Sequence, residues 1–331
     1  MKKLFLLALV LALAAPLAAA APPAIGELLR SVPAGAQAVV AVDSATLRSH
    51  PKVQDWLLRQ HAWTGANDDP RQFLTDAGID PLRDVDAMVV AILGDGDATS
   101  AVALFAGRYD QASLGAALVK QGAQPLALGQ VQAYRLPDKG HHGSKAVVLA
   151  QPSPELVIVG EESAVQAAIA PPHAVVSLVQ TEILARHIDL KAPFWVVATV
   201  PAKVREKASE AAEHAQGEGS EPVHSVFVAS GTVQRVAMQA FLEDSLRFSG
   251  VAVTDTPENA ELLRDAVKGA IAAARLHAQA QAPELVSVLR DIEVSVKGTE
   301  VSASGAVPLA LLEKLVAEHK VPCEPSAKQQ P

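Results

Sequence analysis

The 331 residues suffice for one large domain or for two of ordinary size, each with its own core. Half the chain is hydrophobic, 19% is charged and the net charge is −8, which excludes wholesale disorder and any general attraction for nucleic acid or anionic lipid. Three Trp, two Tyr and seven Phe are too few for an aromatic platform on single-stranded nucleic acid, and a single cysteine excludes an internal disulfide framework.

Residues 1–20 read as a cleaved signal peptide. Met1-Lys2-Lys3 is a basic start, Leu4 to Ala15 an apolar stretch too short to span a bilayer, and Ala18-Ala19-Ala20 the small residues a signal peptidase needs. No cysteine lies near the cleavage point, so a lipid-modified N-terminus is chemically excluded. The expected location is periplasmic or secreted, with no membrane span in the mature chain.

In chain order, the first half (21–172) opens with a short helix over Ile25–Val32. A β-branched strand, Ala36–Val42, follows and ends at Asp43. Helices are expected over Ser44–Arg48 and Pro51–His61, then a short one from Asp69-Pro70 to Gly78. Val85–Leu93 and Ala101–Ala106 form a hairpin around Gly94-Asp95-Gly96-Asp97. Asp110 caps a helix to Lys120. Strands at Val131–Leu136, Lys145–Ala150 and Leu156–Val159 follow, with a closing helix over Glu161–Ala170. The diproline Pro171-Pro172 then breaks the chain.

The second half (173–320) repeats this order. Phe194–Val200 is a strand, and Pro201 opens a charged helix to about Gln216. Its stripe of Val204, Ala208, Ala211 and Ala215 buries little, so it should pack weakly. Val223–Ala229, Val233–Leu242 and Leu246–Val253 read as an antiparallel meander. Thr256-Pro257 starts a helix running to about Ala280, with Leu263, Val267, Ala270, Ile271 and Ala274 on its buried stripe. A short helix at Pro283–Leu289, a hairpin of Ile292–Lys297 with Glu300–Gly305, and a helix over Pro308–His319 complete the half; 321–331 is a disordered tail. The fold class is therefore α+β, mainly antiparallel with helices packed on one face, in two similar halves that separate at the diproline.

Val32-Pro33-Ala34-Gly35-Ala36-Gln37-Ala38-Val39-Val40-Ala41-Val42-Asp43, Ala106-Gly107-Arg108-Tyr109-Asp110 and Val157-Ile158-Val159-Gly160-Glu161 carry a resemblance. Together they resemble exported bacterial proteins with a domain of unknown function. The resemblance covers most of 32–170 and implies a periplasmic fold of repeating β and α elements. It brings no catalytic residues.

Motifs for hydrolase nucleophile elbows, zinc proteases and phosphate loops are missing. Asp95, Asp97 and Thr99 open like a calcium loop, but Ser100 stands where glycine is needed and Ala106 where a bidentate glutamate is needed. His141-His142, between glycines, is the best metal candidate. A solvated loop is the simpler reading, because adjacent imidazoles rarely converge on one ion. Cys323 sits in the tail, where an exposed thiol in an exported protein could pair between molecules. No cofactor is expected and no catalytic residue can be assigned. The leading function is a non-enzymatic binding or scaffolding protein, with an unknown protein or small molecule as partner. The alternative is a periplasmic hydrolase whose dispersed residues, such as His187, Asp189, His224 and Ser225, meet only in the fold.

Overall fold

The computed structural model describes residues 25–54, 75–94, 99–137, 146–170, 186–214 and 228–318. Residues 1–20, His141-His142, His224, Ser225, the diproline and the stretch with Cys323 lie outside them. The first half contains α1 (Ile25–Leu28), β1 (Ala36–Asp43), α2 (Ser44–Ser49), α3 (Pro81–Asp84), β2 (Val85–Leu93), β3 (Ser100–Gly107) and α4 (Gln111–Lys120). It continues through β4 (Gln124–Leu128), β5 (Val131–Arg135), β6 (Val147–Ser153), β7 (Leu156–Glu161) and α5 (Glu162–Ile169). The second half contains β8 (Phe194–Thr199), α6 (Ala202–His214), β9 (Val233–Leu242), β10 (Ser245–Thr254) and α7 (Pro257–Gln281). It ends with α8 (Leu285–Arg290), β11 (Glu293–Lys297), β12 (Glu300–Pro308) and α9 (Leu309–Glu318).

These strands make one 12-stranded antiparallel sheet in the order β11-β12-β10-β9-β8-β1-β2-β3-β7-β6-β5-β4. The two halves are contiguous blocks of it, and within each block the first strand, the following hairpin and the last hairpin are stacked in the same spatial order. They meet where β1 pairs with β8, from Ala38 opposite Ala198 to Val42 opposite Phe194. The Asp43 amide extends this seam by donating to the Pro193 carbonyl at 2.7 Å.

Side-chain alternation decides where the core sits. On one face Val39, Ala41, Val89 and Leu104 of the first half join Trp195, Val197, Ala237 and Val251 of the second in one cluster, covered by α1 and α5. On the other face Val42, Met88, Val90 and Phe105 pack beneath Leu114, Ala117 and Leu118 of α4. The expectation of helices on one face is thus corrected for the first half. Both parities of β1 and β2 are apolar, so both faces need cover. Two self-sufficient cores at the diproline likewise give way to one core shared across the seam. In the second half Ala260, Leu263 and Ala266 of α7 pack near Val233 and Val301.

Local corrections are few. β4 was not read from sequence; it is an edge strand carrying Pro125, which blunts its free edge. Ala229, expected in a strand, lies in a helical turn, with the Thr232 amide bonded to its carbonyl at 3.2 Å. Ala274 is exposed rather than buried. The helix caps follow their side-chain chemistry: the Ser113 amide donates to Asp110 Oδ1 at 2.7 Å, and the Asn259 amide to Thr256 Oγ1 at 3.2 Å.

The Ser113 hydrogen bonds hold the exposed Asp110 carboxyl below its ordinary value of 3.8. A depressed folded-state value contributes stability above the unfolded pKa, and that contribution is lost as pH falls through the folded one. Acid unfolding below about pH 4 should therefore be shallower in Asp110→Asn than in the wild type. Parallel acid curves, followed by circular dichroism, would contradict this role.

Candidate binding groove

The register of the second half places side chains in transverse rows across the sheet. One row is Trp195, Gln239, Ser249, Ser304 and Glu293, on strands β8, β9, β10, β12 and β11. The next row outward is Phe241, Arg247 and Ala306. The face therefore changes from apolar at the seam to serine, amide and charge toward the β11 edge, as on a sheet face that meets water.

The outer rows line a cavity of about 740 Å³, walled also by Phe248, Gly305, the α8 residues Ser287 and Val288, and Asp291 just after α8. Gly305 is required here: a Cβ would lie 2.7 Å from the Phe248 ring, so the missing side chain is what lets that ring lie across β12. Two hydrogen bonds fix Gln239, whose Oε1 accepts from the Asp189 amide at 2.7 Å and whose Nε2 donates to Ser249 Oγ at 3.2 Å. The Arg247 guanidinium stands 5.6 Å from the Phe241 ring centroid and donates to Glu243 Oε1 at 2.6 Å. The groove thus offers hydroxyl and amide hydrogen-bonding groups beside the Phe241 ring, while Phe248, of opposite parity to Arg247 and Ser249, lies on the other face of the sheet.

A second surface cavity, of about 980 Å³, lies between α4 and the β4–β5 hairpin. Gly115 is fixed there by the Tyr134 hydroxyl, which would be 2.3 Å from a Cβ. Its lining mixes Ala112, Ala116, Val119 and Pro125 with the polar Asp110, Gln111, Lys120, Gln132 and Tyr134.

Of the residues weighed for hydrolysis, His187 and Asp189 are described, whereas His224 and Ser225 lie outside the described residues. His187 and Glu300 approach each other, with Nε2 3.4 Å from Oε2, and Arg186 lies 3.8 Å from the same carboxylate. The buried His187 Nε2 makes no hydrogen bond among the described residues. Asp189 instead accepts from the Lys191 amide at 2.9 Å. Ser304 is four residues from Glu300 along β12, roughly 13 Å away by strand rise. Among the described residues no group of three His, Cys, Asp or Glu could hold a metal ion. In the weighed calcium loop, position twelve, Ala106, is a core residue of β3.

Sequence reading missed a buried polar cluster. Arg48, on α2, sits 2.5 Å from Asp86 on β2, and its second Nη donates to the Val85 carbonyl at 2.8 Å. Both side chains are almost wholly enclosed, at 8% and 6% exposure. Tyr109 lies in the same region. Burial first, then the Asp86 and Asp84 charges, push its phenol above the ordinary value. Gly107 must be glycine there, since a Cβ would fall 1.8 Å from the Asp84 carbonyl oxygen. This cluster ties α2 to the sheet, and none of the residues lining the two cavities belongs to it.

Among the described residues, no helix is long and apolar enough to cross a membrane. No family model matches the chain, and no curated protein matches it. Solved structures similar to it include crystal forms I, III and IV of TP0453, at 11%, 8% and 9% identity with TM-scores of 0.44, 0.48 and 0.45. The matches cover 91%, 91% and 87% of this chain and 98%, 99% and 96% of the other.

Proposed function

We propose that this is an exported, non-enzymatic binding protein whose second-half groove holds a small polar ligand. The observation that carries the reading is the pair of rows Gln239–Ser249–Ser304–Glu293 and Phe241–Arg247–Ala306 bordering one cavity. Hydroxyl, amide and carboxylate groups beside the Phe241 ring can orient a hydroxyl- or amide-rich molecule. The basic start and apolar stretch of residues 1–20 support export, with the mature chain beginning at or near Ala21.

The test uses protein recovered from its native compartment. Ala306 is exposed, so Ala306→Trp should fill the groove without disturbing the core. Native mass spectrometry should find a small polar molecule on the wild-type chain and none on the variant, with unchanged circular dichroism. Identical spectra for both would remove the groove as the site. Turnover of ester substrates that disappears in His187→Ala would instead favour the hydrolase.

A further inference from the structure

We infer that α7 carries a self-complementary seam through which two copies of this chain associate antiparallel. The inner face of α7 packs through Ala260, Leu263 and Ala266, while Leu262 and Leu276 face outward at 60% and 69% exposure. They are the two most exposed large hydrophobic residues among those described. Glu258, Leu262, Asp265, Gly269, Ala272 and Leu276 follow one another at spacings of four and three, and all are exposed. That spacing makes a continuous stripe along one side of a helix, the pattern of a helix-pairing seam.

Gly269 is a second, independent observation. Glycine weakens a helix interior relative to alanine, yet this one has an ordinary negative φ, and a Cβ there would meet nothing within 4 Å. The chain's own fold gives no reason for it. Gly269 is seven residues from Leu262 and seven from Leu276, so a two-fold axis through it sets Leu262 of each copy against the partner's Leu276. The missing side chain at the crossing then lets the two backbones approach closely.

Charge selects the second copy as occupant and fixes the direction. Glu258, Glu261 and Asp265 lie toward the start of the stripe, and Lys268 and Arg275 toward its end. Antiparallel pairing brings Glu261 beside the partner's Arg275 and Asp265 near the partner's Lys268, whereas parallel pairing would set like against like. Arg264 already engages Glu261 Oε2 and Asp265 Oδ1, which leaves each carboxylate an oxygen for such contacts.

One pair of crossing helices buries less than a standard interface of roughly 1,600 Å², so the association should be concentration-dependent and reversible. Sedimentation equilibrium of the mature chain carrying Cys323→Ser should show the average mass rising toward the dimer as protein concentration increases. Leu262→Glu with Leu276→Glu should weaken association at least tenfold at an unchanged Tm, since both side chains are exposed. Gly269→Cys, on the axis, should form a disulfide-linked dimer faster than Ala274→Cys, which is exposed but off the seam. A mass independent of concentration, a dimer unaffected by the two glutamates, or equal cross-linking at both cysteines would overturn the proposal. Ligand loss in Ala306→Trp is a separate readout, so the groove can fail while the dimer stands.

Discussion

Asp86→Ala should lower the unfolding free energy by about 3–5 kcal/mol, because it leaves the Arg48 guanidinium buried with no carboxylate beside it. Against a typical total of about 5–15 kcal/mol, a loss of that size would leave the fold marginal. The remaining bond from Arg48 to the Val85 carbonyl cannot neutralise the charge. Replacing both partners, as Arg48→Met with Asp86→Leu, should recover most of the loss, since apolar residues of similar size owe no desolvation cost. Urea unfolding measures all three proteins. A single-variant loss below about 1 kcal/mol would mean that water reaches the pair, as it does at surface ion pairs.

Trp195→Ala should cost about 3–5 kcal/mol, the range for removing a large buried aromatic side chain. Trp195 is fully enclosed on the strand where the two halves pair, and its cluster contains residues of both. Its indole nitrogen is buried without a hydrogen-bond partner among the described residues, so Trp195→Phe forfeits volume but no hydrogen bond seen there and should cost clearly less. Equal losses for the two variants in urea would show that the indole N–H has a partner after all.

Much of the fold was legible because its local signals are strong. The Asp110 and Thr256 caps, the turn glycines and the period-two runs placed most strands within a few residues. The single sheet was not read, although its cause is in the sequence. Ala38-Val39-Val40-Ala41-Val42 and Phe194-Trp195-Val196-Val197 are apolar at both parities, as a strand covered on both faces and paired on both edges must be. β4 escaped because Pro125 and exposed residues hide a strand of only five residues.

The sites were less legible, because both depend on partners distant in the chain. Asp86 stands in the otherwise apolar run Val85–Leu93, and its partner Arg48 is 38 residues earlier. The groove rows appear only once β9, β10, β12 and β11 are in register, and no spacing in the sequence reveals that register. His187 found a carboxylate, but on Glu300 rather than on nearby Asp189.

The account rests most heavily on the two halves sharing one core, and Trp195 provides a direct probe of it. It is the only tryptophan in a fragment spanning 173–320, since the others are Trp56 and Trp63. Alone, that fragment should emit as a solvent-exposed indole and melt without a cooperative transition, because the β8 edge and the Trp195 face lack their cover. Adding the 21–172 fragment carrying Trp56→Phe and Trp63→Phe should shift the emission to the blue and restore one cooperative transition. A blue-shifted, cooperatively melting 173–320 fragment in isolation would contradict the shared core.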